Sequence, residues 1–363
     1  LRGILLTGFP WGLWGYSQAR NLPLAHLASL GGVYAVSLVV ALAGAYVAEA
    51  LVARSRAALL RVLAFAAAAH GAGAVLLWSR AHDSGEPLRV AIVQGNIDQD
   101  IKNRDLEFRN HILDRYLNLT AKAGGVDLVV WPEATFPGYL PIEIRRVPVL
   151  RFGHPLLFGV STRERGPPLR LRNSAVWVEA DGRVAGTYHK QHLVPFGEYV
   201  PLRFMLPVDK FVPGMVDFTP GDGGAPLGDP KTGVLICYDG IFPELARGEV
   251  RLGAALLANL TNDGWYGVSS AAYQHRDFYV LRAIETDRWV IRAANTGISA
   301  FVSPWGRLSG DTALNETTLT HGQVWPRQGH TPYVLLGDWL AAAATGALLG
   351  SVLLLAYRRW RGV

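Results

Sequence analysis

Cysteine is nearly absent from this sequence, because the 363 residues contain only one, Cys237. A single cysteine excludes a disulfide bond within the chain, and it also excludes a structural zinc site built from several cysteines. Before its neighbours are considered, a lone cysteine is more typical of apolar packing than of catalysis. The surroundings of Cys237 therefore decide whether it is a core residue or a nucleophile.

Charged residues are also scarce. They make up 18% of the chain, against about 25% in an average soluble protein. The mean hydropathy is +0.18, so we expect part of the chain to lie in lipid. The formal charge of +6 does not indicate a nucleic-acid partner, since arginines beside apolar segments account for all of it. These arginines are Arg54, Arg56, Arg61, Arg358, Arg359 and Arg361.

Three apolar segments predict membrane helices, at about 33–52, 57–78 and 337–357. Each has about twenty residues, the length needed to cross a bilayer. A helix buried in a large soluble core is the alternative interpretation. Residues 1–21 are rich in Leu, Trp and Phe but interrupted by glycine and proline, which predicts the end of an upstream helix followed by a loop at the membrane surface.

The arginines also predict the orientation of the chain. Arg54 and Arg56 predict that the short loop between the first two helices lies in the cytoplasm, and the basic tail at 357–361 should lie there too. Residues 83–332 then form one domain on the outer side. It lies between a membrane region at 1–82 and a C-terminal helix with its tail at 333–363.

Between these anchors, short apolar runs alternate with amphipathic stretches. Short apolar runs are typical of buried strands, whereas apolar residues spaced by three and four are typical of helices. The alternation predicts an α/β fold with helices layered over sheet. The predicted strands are 88–94, 126–131, 155–160, 233–237 and 254–259, the predicted helices are 106–123 and 271–287, and a hairpin joins 173–178 to 183–188.

Three reactive residues follow predicted strands at the points where these strands end, namely Glu133, Lys190 and Cys237. Ligands of α/β sheets bind beyond the carboxyl ends of strands, so these side chains can meet in one pocket. A carboxylate can take the proton of a thiol, and an ammonium group with a backbone N–H can stabilise the oxyanion that forms on a carbonyl. The combination favours acyl transfer through a thioester on Cys237.

Several stretches around these residues and elsewhere in the chain carry a family pattern, namely Thr7–Trp11, Val93–Ile97, Val130–Thr135, Tyr188–Pro201, Ile236–Asp239, Phe242–Glu244, Asn262–Gly267 and Arg292–Ser299. They resemble the nitrilase superfamily, and more narrowly the apolipoprotein N-acyltransferase family. The resemblance extends over essentially the whole chain, and the segment from Lys190 to Pro201 is its most specific part.

The resemblance implies a four-layer α-β-β-α sandwich attached to transmembrane helices. It also implies a role for each residue of the site. Cys237 would be the nucleophile, Glu133 the general base, and Lys190 the stabiliser of the tetrahedral intermediate. Glu198 would orient Lys190, and the backbone N–H of Tyr238 would complete the oxyanion site.

The activity implied by the resemblance moves a fatty acyl chain from a membrane phospholipid to the amine of the diacylglyceryl-cysteine that begins a bacterial lipoprotein. The implied location is the bacterial inner membrane, with the catalytic domain on the periplasmic side. We expect a monomer that needs no metal or organic cofactor. Two alternatives stay open, a membrane-tethered amidase that uses the same three residues and a catalytically silent homologue.

The sequence departs from the family pattern at two places. Asp239 stands where the family usually has Glu, which keeps the charge but shortens the side chain. Lys102-Asn103 stands where the family usually has Lys-Trp, which affects lipid handling. Trp265 is a further candidate for substrate binding, and for it, as for Tyr266 and Phe278, a place in the core and a place along an acyl groove are equally compatible with the sequence.

Overall fold

The computed structural model describes Gly3 and residues 5–98, 106–202 and 217–361. The departure from the family at Lys102-Asn103 lies outside the described residues. The helices are α1 (Leu22–Ala25), α2 (Ala28–Ala53), α3 (Arg56–Arg80), α4 (Leu106–Thr120), α5 (Pro243–Arg251), α6 (Ser270–Thr286), α7 (Pro332–Leu336) and α8 (Trp339–Arg361).

Three of these helices, α2, α3 and α8, are long and apolar enough to cross a membrane. Their apolar side chains are largely exposed, and α8 has no buried residue. Such surface is stable in lipid and unfavourable in water. The turn between α2 and α3 is closed by an ion pair of 2.8 Å between Arg61 and Glu49, and Ser55 caps α3 by accepting a hydrogen bond from the Ala58 N–H.

Helix α2 is interrupted near its start. Gly31 and Gly32 have non-helical backbone angles, and the break leaves the N–H of Val33 without an intrahelical partner. The carboxylate of Glu285 on α6 accepts that N–H at 2.7 Å. The outer domain is therefore bonded directly to the break in a membrane helix.

Two sheets form the centre of the outer domain. In the described residues the larger sheet has the order β12-β1-β2-β4-β5-β6, with β3 beside β4, and the smaller has the order β11-β10-β9-β8-β7. The strands are β1 (Leu88–Gln94), β2 (Leu128–Val130), β3 (Tyr139–Pro141), β4 (Leu156–Glu164), β5 (Arg170–Val178), β6 (Val184–His189), β7 (Thr232–Ile236), β8 (Leu256–Thr261), β9 (Val290–Ala294), β10 (Ala300–Val302), β11 (Leu308–Ser309) and β12 (Thr318–Val324).

The two sheets pack face to face with helices outside them. Val90, Leu157 and Ile291 belong to the apolar cluster between the sheets. The outer face of the larger sheet is covered by α4, and that of the smaller sheet by α5, α6 and α2. This is the α-β-β-α sandwich with attached transmembrane-length helices that the resemblance implies.

Strand direction positions the site. Strands β7, β8 and β9 are parallel, so the residues after them, among them Cys237 and Asn262, lie at one edge of the smaller sheet. In the larger sheet β1, β2 and β4 are parallel too, and β2 leads to Glu133. The carboxyl ends of both sheets therefore supply residues to the same region.

Candidate active site

Cys237 lies in a sharp turn between a buried strand and a helix. It follows β7 directly and begins a 3₁₀ helix, Cys237–Ile241. Its φ angle is +46°, a left-handed conformation that is unfavourable for a residue with a side chain. Strained strand-to-helix turns of this kind present a nucleophile at the end of a strand in other enzymes.

Lys190 is buried between two carboxylates. Its side chain is 1% exposed, and its Nζ lies 2.9 Å from Oε2 of Glu198 and 3.5 Å from Oε1 of Glu133. Burial alone would lower the pKa of Lys190, but the charges of Glu198 and Glu133 raise it well above its usual value. The ammonium group is therefore permanently charged inside the protein.

Asn173 joins the two carboxylates. Its Nδ2 donates to Oε1 of Glu133 and to Oε1 of Glu198, each at 2.7 Å. Asn173 lies on β5 beside Lys190, whose backbone N–H donates to the Asn173 carbonyl. In the sequence, Asn173 begins a predicted hairpin strand, and its position there does not indicate a part in the site. The sequence feature that could have indicated such a part is a polar residue within an apolar strand, opposite the end of the strand that leads to Lys190.

Glu133 is held at both carboxylate oxygens. Oε1 accepts from Asn173, and Oε2 accepts the backbone N–H of Asn262 at 2.9 Å. Asn262 follows β8, so this bond joins the end of the smaller sheet to the loop after β2. The orientation of the carboxylate is fixed by both sheets.

The thiol of Cys237 interacts electrostatically with Glu133 and Lys190. Burial raises the pKa of Cys237, the charge of Glu133 raises it further, and Lys190 opposes the rise. The net effect is a thiol that stays protonated at rest. A thiol in this state becomes nucleophilic only when a base takes its proton, and Glu133 is a carboxylate of the same group.

Asp239 ties the Cys237 turn to the segment that follows β6. Its Oδ1 accepts the backbone N–H of His192 at 2.8 Å, and its Oδ2 accepts the Tyr188 hydroxyl at 3.0 Å and the Ile236 N–H at 3.1 Å. Burial raises the pKa of Asp239 to about 6, against Lys190 and these hydrogen bonds, which lower it. The short Asp side chain therefore reaches both of the segments that carry Cys237 and Lys190.

The side chain of Tyr238 is buried among aromatic rings. It packs beside the rings of Phe9 and Phe242, and its hydroxyl donates to the carbonyl of Gly8 at 3.4 Å. The N-terminal segment thus contacts the residue next to the nucleophile. The backbone N–H of Tyr238, next to the nucleophile, remains the candidate for contact with a reacting carbonyl.

The three aromatic candidates have different environments. Trp265, in the 3₁₀ helix Asp263–Tyr266, is 70% exposed, so it is not a core residue. Phe278 is buried, with its ring 4.7 Å from that of Trp11. Tyr266 is half-buried, and its ring lies 5.7 Å from that of Trp11.

Two apolar cavities lie beside the N-terminal segment. One of about 820 Å³ is lined by Trp11, Trp14, Val40 and Phe278, among others. A smaller one of about 410 Å³ is lined by residues that include Phe9 and Tyr238. Cys237 lines neither, but the smaller cavity reaches the residue next to it.

Comparisons with known proteins agree with this architecture. The family model described as carbon-nitrogen hydrolase matches residues 89–326, and the model described as apolipoprotein N-acyltransferase N-terminal domain matches residues 1–46. The apolipoprotein N-acyltransferase of Geobacter metallireducens is 40% identical over 99% of this chain and 72% of its own length. That of Pseudomonas putida is 37% identical over 97% of this chain and 71% of its own length.

Solved structures extend the likeness to the fold. An amidase of the nitrilase superfamily from Nesterenkonia AN1 superposes with a TM-score of 0.52 at 22% identity, over 72% of this chain and 98% of the amidase. At this identity the likeness concerns the fold alone. Taken with the family models and the relatives, it leads to one assignment: the chain belongs to the apolipoprotein N-acyltransferase family, within the carbon-nitrogen hydrolase superfamily.

Proposed function

We propose that this protein transfers an acyl chain from a membrane phospholipid to the amino group of a diacylglyceryl-cysteine lipoprotein, through a thioester on Cys237. The observation that carries the proposal is that Lys190 lies buried between Glu133 and Glu198, and that Glu133 and Lys190 act electrostatically on Cys237, in a domain bonded to membrane-length helices. Two relatives that match nearly the whole chain are named apolipoprotein N-acyltransferase, which supports acylation of a lipoprotein amine.

In the first half-reaction, Glu133 takes the proton of Cys237 and the thiolate attacks the ester carbonyl of the phospholipid. The tetrahedral intermediate carries its negative charge on the former carbonyl oxygen. Collapse breaks the bond between the acyl carbon and the glycerol oxygen. Glu133 returns the proton to that oxygen. The lysophospholipid leaves, and the acyl chain stays on the sulfur of Cys237.

In the second half-reaction, the lipoprotein amine attacks the thioester carbonyl. Glu133 takes a proton from the attacking nitrogen, the carbon–sulfur bond breaks, and the departing thiolate of Cys237 is reprotonated by Glu133. The products are the amide and the free enzyme. One carboxylate thus acts as base and then as acid in each half, which its two fixed oxygens support.

Lys190 and the Tyr238 N–H stabilise the oxyanion in both halves. Because Glu198 and Glu133 keep Lys190 charged, it provides a positive charge in a site with little water, where such a charge has its largest effect. Glu198 and Asn173 hold Lys190 and Glu133 in place. The apolar cavities beside the N-terminal segment offer space for the acyl chain.

An amidase is the second candidate, because the family model that matches residues 89–326 is described as carbon-nitrogen hydrolase. Water would then replace the amine as the second nucleophile. The exposed apolar surface of α2, α3 and α8 favours the acyltransferase, since a phospholipid ester is presented at the membrane.

The test is acylation of purified protein in detergent by a phospholipid labelled in its acyl chain. We expect a hydroxylamine-sensitive label on the wild-type protein, no label on Cys237→Ala, and transfer of the label to a diacylated lipopeptide when it is added. An amidase would give no label from phospholipid, and it would release ammonia from small amides. A catalytically silent protein would give neither signal.

A further inference from the structure

The peptide unit between Cys237 and Tyr238 is held from the side of its carbonyl. The Cys237 carbonyl oxygen accepts a hydrogen bond from the Tyr279 hydroxyl at 3.1 Å, and Nε2 of His275 lies 3.3 Å from the same oxygen. Both residues are on α6 and both are fully buried. A carbonyl oxygen can only accept, so Nε2 of His275 carries a proton.

His275 is in turn held by a buried ion pair. Its Nδ1 lies 2.9 Å from Oδ1 of Asp263, and Oδ2 of Asp263 lies 2.6 Å from Nη2 of Arg292. Burial alone would raise the pKa of Asp263, but Arg292 and His275 lower it to about 2. The ionised Asp263, like the Cys237 carbonyl, can only accept, so both ring nitrogens of His275 carry protons. Burial lowers the pKa of His275, and the charge of Asp263 opposes this and stabilises the imidazolium.

The approach of Tyr279 is built into the 3₁₀ helix. A Cβ atom at Gly240 would collide with the Tyr279 hydroxyl, so the absence of a side chain there lets the hydroxyl reach the Cys237 carbonyl. The guanidinium of Arg292 lies over the Tyr279 ring at 5.1 Å. Contacts within the protein thus hold both donors, His275 and Tyr279, in place without any substrate.

The carbonyl and the N–H of one trans peptide unit point in opposite directions. Fixing the Cys237 carbonyl therefore fixes the direction of the Tyr238 N–H. Donors to the carbonyl also polarise the amide, which makes its N–H a stronger donor. The same contacts hold Cys237 in its left-handed conformation, which is energetically unfavourable for a residue with a side chain.

We propose that His275 and Tyr279 are positioning residues that aim and polarise the Tyr238 N–H as an oxyanion donor. The proposal rests on the proposed function in one respect, namely that Cys237 attacks a carbonyl group. It does not depend on which acyl donor or acceptor the protein uses.

The test compares two reactions of the Cys237 thiol in detergent-solubilised protein. Acylation by a p-nitrophenyl ester passes through an oxyanion, whereas alkylation by iodoacetamide displaces iodide and forms none. Tyr279→Phe removes one hydroxyl and keeps the ring. Loss of a complete oxyanion donor costs about 100- to 1,000-fold in rate, so we expect loss of this support to slow kcat for acylation by about tenfold. The rate of alkylation should stay within about twofold of wild type.

His275 is tested by a conservative rescue. Gln can place an amide N–H near the position of Nε2, so His275→Gln should retain more acylation than His275→Leu, with equal rates of alkylation. Tyr333→Phe is the matched control, because Tyr333 is equally buried and its hydroxyl donates to Asp338 instead. We expect Tyr333→Phe to leave both rates unchanged.

Two results would overturn the proposal. One is an unchanged acylation rate in Tyr279→Phe, and the other is an equal fall of acylation and alkylation, which indicates a general loosening of the site. If thermal melting shows that His275→Leu does not fold, the acylation and alkylation rates of Tyr279→Phe alone decide the test. A wild-type protein that reacts with the ester but takes no label from phospholipid would refute the proposed function and leave this inference standing.

Discussion

Asn173 shows how much of the site depends on one neutral side chain. Its single Nδ2 joins two carboxylates that would otherwise repel each other across Lys190. We predict that Asn173→Asp, which adds a third buried carboxylate, lowers kcat by about 100-fold and destabilises the fold by about 3 kcal/mol or more, the usual cost of an unpaired buried charge. Turnover of labelled phospholipid and thermal melting measure the two effects.

Asn118→Asp is the control for that change, because Asn118 is exposed on α4. It should change turnover and melting very little. Equal behaviour of the two variants would show that Asn173 has no special part in holding Glu133 and Glu198 together.

Glu249 on α5 predicts a pH dependence of stability. It is buried, its Oε2 has no partner among the described residues, and burial raises its pKa from 4.5 to about 8. The folded protein therefore keeps a proton that the unfolded chain releases. The contribution of Glu249 to stability is full below pH 4.5 and is lost as the pH rises through about 8.

We predict that Glu249→Gln, which is neutral at every pH, removes this loss. The wild type should lose on the order of a few kcal/mol more than the variant between pH 5 and pH 8.5. Denaturant titrations of both proteins at the two pH values measure the difference, with the exposed Glu86→Gln as control. Parallel pH profiles for wild type and Glu249→Gln would contradict the prediction.

The sequence allowed the reactive residues to be named, together with Glu198 and the Tyr238 N–H, but not the other residues that hold them in place. Glu133, Lys190 and Cys237 stand out because each reactive side chain follows an apolar strand. Asn173 and His275 do not, since one is inside a strand and the other inside an amphipathic helix. Their importance comes from contacts with residues that are distant in the chain, and residue spacing does not reveal such contacts.

At the scale of elements, the break in α2 gives the next prediction. Gly32 has a φ angle of +67°, and a Cβ there would lie 2.5 Å from the Tyr333 ring. We predict that Gly32→Ala destabilises the detergent-solubilised protein by about 2 kcal/mol or more, since it adds both backbone strain and a clash. Thermal melting measures the change.

Gly71→Ala in α3 is the comparison, because nothing lies within 4 Å of the added Cβ. Alanine favours helix over glycine, so this variant should be neutral or slightly more stable. If both variants melted alike, the contact between the break in α2 and Tyr333 would not contribute to stability.

Element boundaries followed from apolar patterning to different degrees. The predicted strand 88–94 coincides with β1, and the predicted helix 271–287 is offset by one residue from α6. The predicted strand 155–160 is shorter than β4, because β4 ends in charged residues, which are typical of a loop. The pairing of β1 with β12 depends on contacts across the whole domain, so no local pattern indicated it.

At the scale of the whole molecule, orientation in the membrane is a prediction from the arginines. In a Cys237→Ala background, Ser55→Cys and Ser84→Cys place one thiol near each end of α3, and both serines are exposed. We predict that a membrane-impermeant maleimide labels Ser84→Cys in intact spheroplasts, and labels Ser55→Cys only after permeabilisation. The reverse pattern would place the catalytic domain in the cytoplasm.

Helix α6 touches the Cys237 carbonyl through His275 and the break in α2 through Glu285. These two residues are ten positions apart, or about 15 Å along a helix. The Cys237 turn is thereby held at a fixed distance from the break in α2. Under the proposed function, this fixes the depth of the sulfur relative to the membrane helices. A lipid ester or a lipid-anchored amine at that depth would then reach the sulfur by diffusion in two dimensions, whereas a dissolved amine would have to arrive from three.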